Sequence, residues 1–287
     1  MLPDSYETPL HLPFNRTLLQ RDFKFSTPDA DPGGPGLLVL LQGDLLVVAG
    51  VGTLCLPEET DALLPGILPD LFIGLWQGRP CRLRQLSPEL SLPDTLLARA
   101  LSAGEPQLPI ELLSLGGMAL QLRHWEQSSR FCSRCGGEMQ RLVGEWGKRC
   151  RTCSAVHFPH IHPCVIVIVQ RPGEVLLTRK AQWAPNRYSL IAGFVDVSEC
   201  LEEAVIREVR EETGVEVDNV RYLGSQAWPF PSQLMIGYRA DYVSGDVVAE
   251  EKELEDARWF SLDALPDLPP RRSIARYLLD TCLGVRA

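Results

Sequence analysis

The chain contains no apolar run of about 18 residues, the length a membrane-spanning helix needs, so no such helix and no membrane partner is expected. Its opening, "MLPDSYETPLHLPFNRTLL", has an acid early and no long apolar core, and so does not read as a secretory leader. Its end, "CLGVRA", carries no lipidation or peroxisomal signal. Internal repeats and low-complexity tracts are missing too. A basic surplus is lacking: the formal net charge of −9 opposes general binding to nucleic acid or anionic membrane, although a local basic patch can override it. With nine cysteines, an odd number, and no export signal, the expectation is a reducing, cytoplasmic setting with cysteines used for metal rather than disulfides.

What the chain does have is enough apolar material, 45%, to build cores, and at 287 residues enough length for more than one domain. A proline-rich, irregular start precedes "GLLVLLQGDLLVVAGV", whose two apolar runs flank Gly43-Asp44 and predict a β-hairpin. "LFIGLWQGRPCRLRQL" predicts two strands joined by a turn, while "LPDTLLARALSA" and "IELLSLGGMALQLRHWEQSSR" predict helices. Nothing before residue 125 looks catalytic. From residue 160 onward "PCVIVIVQ", "GEVLLTRKA" and "YSLIAGFVDV" predict strands, followed by an acidic helix. "VRYLGSQAWPF" and "QLMIGYRADYV" predict two more strands. A charged loop then ends in a strand near "ARWF", and "RRSIARYLLDTCL" predicts a final helix.

Between these regions lie two C-x-x-C pairs, Cys132/Cys135 and Cys150/Cys153, 14 residues apart. Each pair can put two thiolates on one tight turn, and two such turns close a tetrahedron around Zn²⁺. Four cysteine ligands leave no position for water, so this zinc is expected to be structural. His157, His160 and His162 follow in "HFPHIHP", but four cysteines already complete the site. Cys164 opens an apolar strand and reads as core; Cys55, Cys81, Cys200 and Cys282 read as ordinary small residues. The ribbon is locally basic: Arg130, Arg134, Arg141, Lys148, Arg149 and Arg151 stand against Glu138 and Glu145. A solvated surface is the preferred reading, and contact with an RNA backbone is the other.

"GFVDVSECLEEAVIREVREETGV", residues 193–215, holds seven carboxylates and two arginines. Glu208, Glu211 and Glu212 fall at i, i+3 and i+4, on one side of a helix, where like charges repel unless they have a use. Oxygen-only ligands on one face suit a hard divalent cation, Mg²⁺ or Mn²⁺, that shares its shell with substrate phosphates. These residues also carry a resemblance. Gly193, Glu199, Arg207, Glu208, Val209, Glu211, Glu212, Gly214 and Val215 match every fixed position of the Nudix box, so the chain resembles the Nudix hydrolases. That resemblance implies metal-dependent hydrolysis of nucleoside diphosphate derivatives. It makes Glu208 and Glu212 metal ligands, Glu211 a ligand or a positioner of the attacking water, and Glu199 with Arg207 a structural pair.

A second match, "SQAWPFPSQ", begins 10 residues after the box. Ser225, Gln226, Trp228, Pro229, Phe230 and Pro231 resemble the array of the NADH pyrophosphatase, or NudC-type, subfamily, with Ala227 in place of a proline and Gln233 in place of a serine. By that resemblance Ser225, Gln226, Ala227, Trp228, Pro229, Phe230, Pro231 and Ser232 contact substrate, as do Glu145 and Ala275. Phe158 and Phe194 sandwich the nicotinamide. Ala192, through its carbonyl, and Glu253 add metal ligands, and Gly193 and Gly214 are structural. The implied fold is α+β: an N-terminal α+β domain (1–125), a four-cysteine zinc ribbon (126–160) and a C-terminal Nudix α/β/α sandwich with a mixed sheet (161–287). The implied activity is hydrolysis of NADH or NAD⁺ to nicotinamide mononucleotide and AMP, with removal of NAD caps from RNA 5′ ends, by a homodimer. Two alternatives stand beside it: a Nudix pyrophosphatase for another substrate such as ADP-ribose, and an RNA-binding zinc-ribbon protein with an inactive Nudix fold.

Overall fold

The computed structural model describes residues 2–50, 53–59, 64–67, 70–105 and 107–284. It divides into two compact units, 13–161 with 228–232, and 2–12 with 162–227 and 233–287. The last residue of the predicted hairpin, Val51, lies outside the described residues.

In the first unit, β1 (Phe23–Phe25), β2 (Leu37–Gln42), β3 (Leu45–Ala49), β4 (Leu71–Trp76), β5 (Arg79–Leu86) and β6 (Leu96–Ala100) form one sheet in the order β1-β4-β5-β2-β3-β6. The predicted hairpin is β2–β3, with Leu41 opposite Leu46, and the strand pair 71–86 is β4–β5. The predicted helix over "LPDTLLARALSA" is corrected. Leu96–Ala100 is a strand, antiparallel to β3, because pairing along the whole of β3 outweighs a local pattern that also fits a helical period. Helix α1 (Ile110–Ser128) follows as expected. It is built for close approach: a Cβ at Gly116 would meet the Leu101 side chain, and one at Gly117 the Phe14 ring.

The ribbon belongs to this unit. Strands β7 (Met139–Arg141), β8 (Lys148–Cys150) and β9 (Val156–His157) make a three-stranded antiparallel sheet. Trp146 ties it down, its ring stacked on Phe25 at 5.2 Å and its indole N–H donating to the Ser26 carbonyl at 3.0 Å. Lys148, 5% exposed, pairs with Glu126 at 2.8 Å and sits over the Trp125 ring.

The second unit holds β10 (His162–Arg171), β11 (Glu174–Arg179), β12 (Ile191–Phe194), α2 (Leu201–Thr213), β13 (Glu216–Trp228), β14 (Gln233–Ser244), β15 (Asp256–Ser261) and α3 (Ile274–Leu283). The sheet runs β13-β14-β10-β11-β15, with β12 also on β10. It is mixed, since β10 is parallel to β14 and antiparallel to β11 and β12. The run "VIVIV" explains the layering. Val165, Val167 and Val169 face one way, into a core with Ala204, Val205 and Val209 of α2. Ile166 and Ile168 face the other way, into a core with Ile274, Leu278 and Leu279 of α3. The result is the expected α/β/α sandwich. Among the described residues no helix is long and apolar enough to cross a membrane.

Candidate active site and metal centres

The acidic stretch is a helix for local reasons. Glu203 accepts from the Cys200 N–H at 2.8 Å in a capping-box arrangement, and Gly214 ends the helix in the left-handed region at φ 71°. Val205 and Val209, fully buried, fix which face turns inward. Glu208 and Glu212 share that side, whereas Glu211 is 60% exposed.

Arg207 organises the loop and the helix. It donates to Glu199 at 2.5 and 2.8 Å, to Glu208 at 2.8 Å, to Glu211 at 3.0 Å and to the Phe194 carbonyl at 2.9 Å. The Arg207 hydrogen bond holds the Glu199 carboxyl down at about 2. Gly193, on β12, has Glu208 directly against it, and a Cβ there would fall inside the Glu208 carboxyl group. Ala192 is its neighbour, opposite Ile166.

Glu212 is the telling residue. The residue is 5% exposed, and Lys180 is the cation that acts on its carboxylate. Burial pushes its acid up to about 7; Lys180 opposes the shift, and Glu208, Glu253 and Glu250 add to it. Burial also raises Glu208, against the pull of Arg207. Glu253 is brought alongside by the 248–254 loop, whose Val248 and Glu250 amides donate to the Thr213 and Glu212 carbonyls at 2.9 and 3.0 Å. It pairs loosely with Lys180 at 3.8 Å and is 63% exposed. A buried carboxylate is costly unless it is protonated or held by a cation. The donors here are all oxygen, the kind a hard divalent ion takes, although Glu208, Glu212 and Glu253 are not drawn into one tight ligand cluster.

The four cysteine sulfurs lie within 4.8 Å of one another, and no other such cluster of three or more ligands occurs among the described residues. The Cys153 amide contributes most to holding the Cys150 thiol down at about 6, which favours the thiolate a metal needs. Gly136, at φ 72°, makes the knuckle turn, its N–H donating to the Cys132 carbonyl at 2.8 Å. His157 comes within 3.8 Å of the Cys132 sulfur, beside the completed set.

The aromatic array is divided between the units. Ser225, Gln226 and Ala227 belong with the second and Trp228 to Ser232 with the first. Gln226 is fully buried: its amide donates to the Arg272 carbonyl at 2.8 Å and accepts from the Ile274 N–H at 2.7 Å, pinning the start of α3. Ala275, 5% exposed, lies in the α3 core, and Ser232 is 2% exposed. Trp228 and Phe230 pack edge to face with each other at 5.3 Å and with Phe14 at 5.8 Å each, while Pro229 comes against Gly117. Phe158 and Phe194 are half exposed and Glu145 is exposed; the Phe158 ring lies over Gly147. Sequence reasoning did not find Lys180, Phe14 or the clamp role of Gln226, because each depends on partners distant in the chain.

Three family models match: a NUDIX domain over residues 160–282, an NADH pyrophosphatase zinc ribbon domain over 127–158 and an NADH pyrophosphatase-like rudimentary NUDIX domain over 35–125. The chain is 44% identical over 224 residues to an NAD-capped RNA hydrolase NudC from Pseudomonas aeruginosa, covering 77% of this chain and 79% of the relative. It is 40% identical over 220 residues to the protein of that name from Stutzerimonas stutzeri, with the same coverage. A NUDIX hydrolase crystal structure from Nitrosomonas europaea superposes with a TM-score of 0.45 at 28% identity, covering 55% of this chain and 95% of that one.

Proposed function

The chain belongs to the Nudix hydrolases of the NADH pyrophosphatase type, and from that membership we propose that it hydrolyses the pyrophosphate of NADH or NAD⁺ to nicotinamide mononucleotide and AMP. The same reaction removes NAD caps from RNA 5′ ends. The observation that carries the reading is Glu212, a buried acid raised by burial and by neighbouring carboxylates, on the helix that also presents Glu208. Buried acids gathered beside further carboxylates have a use in hydrolysis, which weighs against an inactive Nudix fold.

Glu208 and Glu212 would hold Mg²⁺ or Mn²⁺, with Glu253 and the Ala192 carbonyl as further candidate ligands. Such an ion, when bound, would supply charge neutralisation to the phosphate oxygens and acidity to the attacking water. Glu211, exposed at the surface and held by Arg207 at 3.0 Å, would orient that water. Arg207 keeps the loop and three glutamates in one arrangement, so little reorganisation remains for the reacting state. Phe194 and Phe158 each leave a face open, as ring stacking by either requires. The zinc serves structure. We assign a homodimer and a cytoplasmic location on the same membership.

Product analysis tests this. Zinc-loaded protein is given NADH, NAD⁺, ADP-ribose and an NAD-capped RNA with Mg²⁺ or Mn²⁺, beside Glu212→Gln. The expected result is mononucleotides from NAD(H) and from the capped RNA, lost at least about a hundredfold in the variant. Turnover of ADP-ribose alone would transfer the assignment to that substrate, and it is Ala227 and Gln233 that keep this outcome in view.

A further inference from the structure

We infer that the outward face of the zinc ribbon is a platform for single-stranded RNA, the body of a capped substrate. The inference rests on the capped-RNA reading above. The strand register defines the face. Phe131 bridges to Glu138, Gln140 lies opposite Arg149, and Arg149 lies opposite Val156. Cross-strand partners share a face, so Phe131, Glu138, Gln140, Arg149 and Val156 point one way. All five are exposed. The alternate positions Cys150 and Lys148 are buried on the other side.

Two observations separate this face from an ordinary solvated one. The first is an unburied ring: Phe131 is 57% exposed, with Val156 at 41% nearby and the Arg130 guanidinium 5.9 Å from the ring centre. A ring flanked by arginine is the element on which an unstacked base rests. The second is charge left available. Arg130 and Arg149 have no carboxylate partner among the described residues, whereas Arg82, Arg84, Arg141 and Arg207 are all ion-paired. Arg151, on the same face, holds Glu138 only at 3.7 Å with both side chains mostly exposed. Of the six cations between residues 126 and 160, Arg141 and Lys148 are taken by Glu126 and Lys148 is buried, so the charge this face offers is that of Arg130, Arg149 and Arg151 against Glu138. The chemistry is therefore a stacking surface with guanidinium groups spaced along it, which suits a flexible phosphodiester strand.

The test uses the full zinc-loaded chain and two variants, Arg130→Gln with Arg149→Gln, and Phe131→Ala. Each is assayed on free NADH and on an NAD-capped, unstructured RNA of about 12 nucleotides. Binding of a 5′-monophosphate RNA of the same sequence is followed by fluorescence anisotropy across salt concentrations. The expected result is kcat/KM on capped RNA reduced about tenfold, with NADH turnover within about twofold of the parent. For the double arginine variant, the slope of log affinity against log salt should fall by about 1.4. Equal loss on both substrates would mean the face only supports folding, and unchanged capped-RNA turnover and RNA affinity would mean it is merely solvated; either overturns the platform. If the parent chain hydrolyses NADH but neither binds nor hydrolyses the RNA, the capped-RNA reading fails and the platform with it.

Discussion

Glu212 was legible as a site residue because helical spacing alone puts it beside Glu208 and Glu211. Its burial was not legible, because that depends on which residues fold over it. This burial has a measurable consequence in zinc-loaded protein free of other divalent ions. Its folded pKa of about 7 exceeds the usual 4.5, so folding favours the protonated acid. The associated stability is fully present below pH 4.5 and is lost as pH rises towards 7. The loss amounts to about 3 kcal/mol at neutral pH, and Glu208, raised in the same sense, adds to it. Glu199 acts in a separate window. Its carboxyl is depressed to about 2, so its contribution is present above pH 4.5 and lost as pH falls from there to 2. Urea unfolding between pH 5 and about 8 checks the first effect. Glu212→Gln should flatten the slope and be the more stable protein at the alkaline end. Because Mg²⁺ or Mn²⁺ must displace the Glu212 proton, their apparent affinity should also rise about tenfold per pH unit up to 7. A pH-independent affinity would mean that Glu212 is not a ligand.

Among the elements, the regular ones announced themselves. The period of two in "VIVIV" and the two apolar runs around Gly43-Asp44 carry their own structure. Strand β6 did not, since "LLARA" fits either period and only its pairing with β3 decides. The aromatic array was readable as a motif but not in its partners: its buried glutamine is committed to α3, and Trp228 and Phe230 pack on Phe14. The approach of β12 to α2 is similarly invisible in the sequence beyond a conspicuous glycine. That approach predicts that Gly193→Ala displaces the Glu208 carboxyl, because the new methyl group would occupy its place. Stability should fall by about 1–3 kcal/mol, an overpacking cost, while Mn²⁺ affinity and activity fall by a hundredfold or more. Calorimetry for Mn²⁺ together with thermal unfolding separates the two effects. A variant that binds Mn²⁺ normally would show that Glu208 does not need the glycine.

At the scale of the whole chain, composition and motifs indicated the Nudix region, the ribbon and an α+β start. They could not indicate that residues 2–12 fold with the second unit, 150 residues away in sequence from its first strand. The evidence for that placement is contact. Leu12 is fully buried in the α3-side core, Tyr6 packs on the same core, Asp4 pairs with Arg271, and Gly224 has no room for a side chain against Pro9. The opening segment is thus a strap that completes one wall of the Nudix sandwich. Leu12→Ala should therefore destabilise that unit by about 2–5 kcal/mol, the range for a core leucine truncated in place. A chain of two units need not unfold in one step, so the transition has to be assigned. Mg²⁺ with a substrate product should raise the midpoint of the Nudix transition and leave the other where it is. The strap is supported if Leu12→Ala lowers that ligand-sensitive transition, and refuted if it lowers only the ligand-insensitive one. Such a refutation would return residues 2–12 to the N-terminal domain where the sequence alone put them.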